Sequence, residues 1–266
     1  MHISELAVYP LKSARQLRQN FLEFDAMGPC YDRRWMLVDA AGKFVTQRTH
    51  PRMCLLSAVV AGEALRLAAP GMADFLALRE GEELLRVQVW EDALDAWRVS
   101  AAADAWCSEF LGMPVRLVVL PPAAQRVVSP QHAGPGHLTA FSDGFPILLV
   151  TQPSLDALNA KLSAPVDWRR FRPNIVVAGD MPAHAEDTWR RLRVGEIELA
   201  VVKPCSRCVI PSIDPETAVK NSQILTVLRG YRAREDGKTY FGQNVVITRC
   251  PPGVGLALGA RVEVLE

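Results

Sequence analysis

No run of apolar residues in this 266-residue chain is long enough to span a bilayer, and neither sign of charge prevails. Lys and Arg number 30 against 29 Asp and Glu, a formal net charge of +1. That balance excludes a globally basic nucleic-acid binder and a polybasic membrane protein, so any anion site has to be local. Cysteine is sparse as well. Cys30, Cys54, Cys107, Cys205, Cys208 and Cys250 are scattered through a chain of ordinary size, unlike the dense framework of a small secreted domain. They are read as reduced thiols, some of them simply small core hydrophobes. The amino terminus, Met1 to Pro10, has no basic n-region, apolar h-region or Arg/Ser-rich transit segment. Repeats and low-complexity tracts are missing too. These absences leave a soluble, cytoplasmic protein without a membrane span or a nucleic-acid partner. Its 49% hydrophobic content is enough for one large or two modest domains.

What is present reads mainly as strand. Ile3–Tyr9, Trp35–Asp39, Phe44–Gln47, Leu55–Val60, Ala64–Ala68 and Leu85–Trp90 are rich in β-branched, aromatic or alternating apolar residues. Asp39-Ala40-Ala41-Gly42 and Ala61-Gly62-Glu63 are expected to be turns. A helix is expected from Ala101 to Leu111, capped by Ser100 and ended by Gly112 and Pro114, followed by a buried strand at Val115–Leu120. Pro121 to Gly136 has several Pro and Gly residues and no sustained period, so the domain boundary is placed there: residues 1–120, then 121–266.

The second half is expected to hold strands at Ile147–Val150, Asn174–Ala178, around Arg193–Val202, at Val245–Thr248 and at Arg261–Leu265. Helices are expected at Pro153–Leu162 and near Ser222–Tyr231. Strands outnumber helices without alternating with them regularly, which argues against a doubly wound parallel sheet. The expected fold class is α+β and β-rich, with barrel-like sheets in both halves.

The chemistry centres on Lys203-Pro204-Cys205-Ser206-Arg207-Cys208, where the chain leaves the strand Ile197–Val202. A guanidinium beside a cysteine favours thiolate, the form that binds soft metals. Spacing alone leaves three readings open. A structural zinc site needs a second ligand pair, and Cys250 and the five histidines are too dispersed to supply it. A thioredoxin-like redox pair needs a following helix, which Pro211 and Pro215 oppose. The third reading is two half-buried cysteines without a role.

The surrounding motifs add a resemblance. Lys203 to Ile210, followed by Ile213-Asp214-Pro215-Glu216-Thr217, resembles the core signature of the MOSC domain, the module shared with molybdenum cofactor sulfurases. Phe171-Arg172-Pro173-Asn174-Ile175-Val176, Glu186-Asp187-Thr188-Trp189 and Phe241-Gly242-Gln243 resemble further MOSC segments. Tyr9-Pro10-Leu11-Lys12-Ser13 and Asp32-Arg33-Arg34-Trp35 are similar to the β-barrel domain that precedes MOSC in the amidoxime-reducing proteins and their bacterial relatives. The likeness is collinear from about residue 6 to residue 265.

This resemblance implies an N-terminal β-barrel-like domain plus a MOSC β-barrel domain with a few helices, and a molybdenum cofactor (Mo-molybdopterin) with Cys208 as the protein's metal ligand. It implies cofactor contacts at Lys12, Ser13, Arg33, Ser142, Gly144, Arg172, Asn174, Ser206 and Arg207, and a role for Asp143 in orienting substrate or relaying a proton. Cys205 is expected to pack beneath the turn. Pro211 and Asn244 depart from the family pattern, which commonly has Thr at the first position and in some members an aromatic residue at the second.

The implied activity is reduction of small N-hydroxylated compounds, amidoximes and hydroxylamines, by oxygen-atom abstraction at molybdenum. The cysteine cluster of a C-terminal ferredoxin-like domain, found in some bacterial relatives, does not follow the MOSC motifs. An external electron donor of ferredoxin or cytochrome type, with its reductase, is therefore expected. The alternative is a molybdenum cofactor carrier or sulfur-transfer module with Cys208 as carrier thiol.

Overall fold

A computed structural model describes residues 1–78, 81 and 83–266. The chain is β-rich α+β. Its largest sheet has eight strands in the order Glu263–Val264, Arg191–Val194, Ile197–Ser206, Tyr240–Arg249, Ile147–Thr151, Ile175–Ala178, His2–Val8 and Leu17–Gln19. The first strand of the chain thus lies in the sheet otherwise built mainly from the second half, paired antiparallel with Ile175–Ala178. The strands Ile147–Thr151 and Ile175–Ala178 run parallel, joined through the helix Gln152–Asn159, as a parallel pair requires. Thr151 caps that helix and Pro153 occupies its first turn.

Period-2 alternation places the two faces of this sheet in different cores. Ile147, Leu149, Ile175 and Val177 face one cluster with Leu192, Leu199 and Val245. Val150 and Val176 face another, where Leu155, Leu158, Ile224 and Leu228 come from the helices Gln152–Asn159 and Gln223–Arg232. In the first half, a four-stranded sheet runs Glu83–Val89, Asp92–Arg98, Arg116–Val119, Trp35–Val38, beside a three-stranded sheet of Ser57–Ala61, Ala64–Ala68 and Phe75–Leu78. Trp35 and Leu37 pack with the helix Ala101–Leu111, whereas Met36 and Val38 pack under Ala140 and Phe141. Burial on both faces explains why that strand is a continuous apolar run. Ser100 caps the helix by accepting from the Ala103 amide, and Gly112 ends it in the left-handed conformation.

Two expectations about local structure change, and a strand the sequence did not mark is added. Phe44–Gln47 forms isolated bridges rather than a strand, because Thr46 turns the chain: its hydroxyl accepts from the Arg48 amide and its carbonyl from the amides of Thr49 and His50. The start of Leu55–Val60 belongs to a 3-10 helix, Pro51–Leu55, with the strand beginning at Ser57. Asp92–Arg98, whose charges mask its period, pairs with Glu83–Val89 as a hairpin.

Candidate active site

The strand Ile197–Ser206 leads into the site, and it is irregular where chemistry is expected. Its register against Tyr240–Arg249 shifts between Val201 and Lys203 and again between Pro204 and Ser206. Such bulges turn a strand and re-aim its side chains. The neighbouring strand Arg191–Val194 pairs only with residues 197–200, so Pro204, in register with Gln243, lies on a stretch with a strand on one side, where proline is tolerated. Cys205 lies within this strand, half-buried, and Cys208 lies just beyond its end. Cys205 therefore does not pack beneath the turn, as the sequence suggested: it lines the same cleft as Cys208. Pro211 occupies the first turn of a 3-10 helix, Ile210–Ser212, where no amide donor is needed.

The cleft has a volume of about 440 Å³. Five separate stretches of sequence bring Lys12 and Ser13, Arg33, Ser142, Asp143 and Gly144, Arg172 and Asn174, and Ser206, Arg207 and Cys208 to its wall. Backbone bonds lock these stretches together: Arg33 N donates to Tyr9 O, Lys12 N to Trp35 O, Phe141 N to Arg33 O and Asn174 N to Leu148 O. The buried Arg126 donates to the carbonyls of Ala140, Ser142 and Asp143, fixing the loop that carries Asp143.

Backbone strain concentrates here. Of the seven non-glycine described residues with positive φ, four line the cleft: Ser13 at 67°, Arg33 at 49°, Trp90 at 56° and Arg172 at 59°. Such conformations persist only where the surroundings over-determine them, and they cluster at functional sites.

Charge is equally uneven. Lys12, Arg33, Arg48, Arg172, Lys203 and Arg207 face the cleft against the single carboxylate of Asp143, so a chain with almost no net charge has a concentrated cationic site. Arg33 and Arg172 both stack on Tyr9. Arg172 donates through Nη1 to Ala14 O at 2.6 Å, while its buried Nη2 has no protein partner. Burial pulls Arg172 down to about 10. A buried guanidinium with an unused donor costs free energy unless an anion meets it.

Asn174, 1% exposed, is already saturated. Its amide nitrogen donates to Ala7 O and Asp32 Oδ1, and its oxygen accepts from Arg33 Nη1 and Leu148 N. Asn174, expected as a cofactor contact, lines the cleft and also holds Arg33 in place.

Asp143 accepts from Lys12 Nζ at 2.7 Å, from Trp90 Nε1 at 3.2 Å and from Arg48. Crowding in the cleft alone would raise its carboxyl, but the side chain is half exposed, and Lys12 and Arg48 outweigh that and hold it far below the ordinary carboxylate range. A carboxylate so held is an anchor rather than a proton donor at neutral pH. Lys12 is pulled down by burial and pushed up by Asp143, coming to about 8.

Arg48 and Trp90 were invisible as site residues in the sequence. Arg48 belongs to the Thr46 turn and Trp90 to a hairpin tip, and nothing in local period marks either as facing the cleft. Among the described residues no group of three or more His, Cys, Asp or Glu could cage a metal ion. The donor set instead suits a metal delivered by an anionic organic ligand, with cysteine sulfur available to it and many cations around it.

Comparisons with known proteins agree with these features. Residues 1–114 match the MOSC N-terminal beta barrel domain and residues 137–263 the MOSC domain. The chain is 32% identical over 264 residues to mitochondrial amidoxime-reducing component 1 of Homo sapiens, covering 92% of this chain and 78% of that one. It is 30% identical over 243 residues to mitochondrial amidoxime reducing component 2 of Bos taurus, covering 86% and 72%. Molybdenum cofactor sulfurase of Oryza sativa subsp. japonica is 28% identical over 266 residues, covering 91% of this chain and 32% of that one.

Proposed function

The chain belongs to the MOSC family, with that family's N-terminal β-barrel domain ahead of the MOSC domain, and on that footing we propose that it is a molybdenum-cofactor-dependent reductase of small N-hydroxylated compounds. The observation that carries this reading is the convergence of eleven motif residues from five stretches of sequence on one cationic cleft containing an accessible cysteine. Cys208 is the thiolate ligand to molybdenum. Arg33, Arg172 and Arg207, with Lys12, Ser13 and Ser206, hold the cofactor's anionic part; the unpaired Arg172 Nη2 is the donor most in need of it. When bound, the cofactor supplies two-electron exchange at the substrate's N–O bond.

This chain's own residues do the rest. Asp143 keeps Lys12 and Arg48 in place, and Trp90 borders the open side where a flat substrate enters. Reduction of an amidoxime consumes two electrons and two protons and yields the amidine and water. The electrons come, in this proposal, from an external ferredoxin- or cytochrome-type donor and its reductase. No described helix is long and apolar enough to cross a membrane. Although the amidoxime-reducing relatives carry "mitochondrial" in their names, a cytoplasmic location remains part of the proposal for this chain, and six free cysteines fit a reducing compartment.

A second reading, cofactor carrier or sulfur-transfer module with Cys208 as carrier thiol, draws on the likeness to the rice sulfurase and on Cys205 sharing the cleft. Turnover of benzamidoxime with an artificial reductant, with cofactor retained through purification, supports the reductase. Rapid transfer of cofactor to an apo-enzyme without turnover supports the carrier and overturns it.

A further inference from the structure

Arg126 belongs to neither family domain: it lies between the matched ranges 1–114 and 137–263, in the stretch where the sequence places the domain boundary. Its side chain is nevertheless only 6% exposed, and every nitrogen of its guanidinium has a partner. Nη1 donates to Ala140 O at 2.9 Å and to Ser142 O, Nη2 donates to Asp143 O, and Nε donates to Asp92 Oδ2 at 2.7 Å. The backbone of Arg126 is tied to the same loop, since Thr139 N donates to Arg126 O. The cost of burying a guanidinium is offset only when its donors meet well-placed acceptors. Here three of the four acceptors are carbonyls of one short loop.

Those bonds orient the loop. Across a planar trans peptide the carbonyl of one residue and the amide of the next point in opposite directions. With the carbonyls of Ala140, Ser142 and Asp143 turned to Arg126, the amides of Phe141, Asp143 and Gly144 are sent the other way. The Phe141 amide is met there by Arg33 O, and Asp143 and Gly144 line the cleft. Carbonyl oxygens, which would repel an anion, are thus drawn away from the cationic cleft, and amide dipoles that favour an anion are turned from Arg126 toward it. The fourth bond reaches a different wall. Asp92 begins the second strand of the hairpin whose tip carries Trp90, and Trp90 Nε1 donates to Asp143 Oδ1 at 3.2 Å. Hairpin and loop therefore meet twice, through Trp90 and Asp143 at the cleft and through Arg126 behind it.

We infer that Arg126 is a positioning residue whose clamp on the carbonyls of Ala140, Ser142 and Asp143 and on the Asp92 carboxylate sets the Asp143 loop and the Trp90 hairpin in the arrangement that binds an anionic ligand and admits substrate. The part concerning substrate rests on the reductase reading, and the part concerning the anion stands without it. The segment between the two family domains thereby becomes part of the site.

The test compares wild type, R126M, R126K and D92A. It reads thermal unfolding, calorimetric binding of inorganic pyrophosphate to the cofactor-free protein, and KM and kcat for benzamidoxime with an artificial reductant in protein from a host that makes the cofactor. R126M releases the three carbonyls, and at a temperature where it is folded it should bind pyrophosphate several-fold more weakly. Its kcat/KM should fall by up to about 100-fold, the penalty that misplaced groups can carry. R126K keeps the charge without the planar fork, so it should recover only part of both. D92A cuts the hairpin tie alone: KM should rise while pyrophosphate affinity stays near wild type. Folded R126M with wild-type pyrophosphate affinity overturns the inference. Full recovery in R126K also overturns it, because Arg126 would then act as charge alone. If R126M does not fold, R126K against wild type decides on the same terms. D92A with wild-type KM, or as weak toward pyrophosphate as R126M, overturns the hairpin tie. Wild type that binds pyrophosphate but does not turn over benzamidoxime overturns the reductase reading, and Arg126 is then judged by pyrophosphate affinity. Wild type that does not bind pyrophosphate overturns the inference, since Arg126 would have no anion site to shape.

Discussion

The guanidinium carbons of Arg33 and Arg172 each lie 4.2 Å from the centre of the Tyr9 ring. One buried aromatic therefore holds two cations of the cleft, and its hydroxyl is tied to Pro173 O at 3.0 Å. Each stacked guanidinium gains about 0.5–2 kcal/mol from such a ring. Tyr9→Phe keeps the platform and loses one hydrogen bond, so it should cost about 1 kcal/mol in urea denaturation and leave molybdenum content near wild type. Tyr9→Ala should cost about 3–5 kcal/mol and release the cofactor. Equal molybdenum content in the two variants would contradict the platform role.

Lys12 predicts a pH dependence. Its ammonium, ordinarily at 10.5, is brought to about 8, chiefly by burial. As pH rises through about 8 the cleft loses a positive charge and Asp143 loses a partner, so anion affinity should be full below that pH and fall above it. Calorimetric binding of inorganic pyrophosphate to the cofactor-free protein on either side of pH 8 checks this. Lys12→Met should bind weakly throughout, without the alkaline fall. A wild type whose affinity is flat across that range would refute the assignment.

Asn174 is expected to act on stability before chemistry. Asn174→Ala leaves Arg33 Nη1, Leu148 N, Ala7 O and Asp32 Oδ1 each short of a partner. The expected loss is about 1–3 kcal/mol, read from the urea midpoint at constant slope. A neutral effect would mean that water replaces the amide freely.

These residues show how far the sequence was legible. Motif identity located Lys12, Arg33, Arg172 and Cys208 because each lies in a short run with its own signature. Local pattern could not give Arg48, since the Thr46 turn that aims it resembles a strand by composition. Nor could it give Trp90, whose left-handed backbone depends on a hairpin tip meeting Asp143 across the fold. The elements with clear period or caps, such as Ala101–Leu111 with Ser100 and Gly112, were readable. The membership of His2–Val8 in the eight-stranded sheet was not, because pairing across the whole length of a chain leaves no local trace.

Away from the cleft, His184 gives a stability prediction. Both of its ring nitrogens are buried without partners, and burial, aided by Arg232, lowers its imidazole below the ordinary 6.5. The folded state therefore prefers neutral imidazole: the stabilisation is complete above about pH 6.5 and is lost as pH falls below it. The difference in urea midpoint between wild type and His184→Phe should change with pH across this window. A difference that stays constant would show that His184 does not titrate in the folded protein as described.

In the proposed function Cys208, and not Cys205, is the protein's ligand to molybdenum. Metal analysis of wild type, Cys208→Ser and Cys205→Ser, each purified from a cofactor-producing host, tests it most directly. Near-stoichiometric molybdenum is expected in wild type, with a sharp loss in Cys208→Ser and a mild effect in Cys205→Ser. Zinc in place of molybdenum, or equal loss from both substitutions, would contradict it.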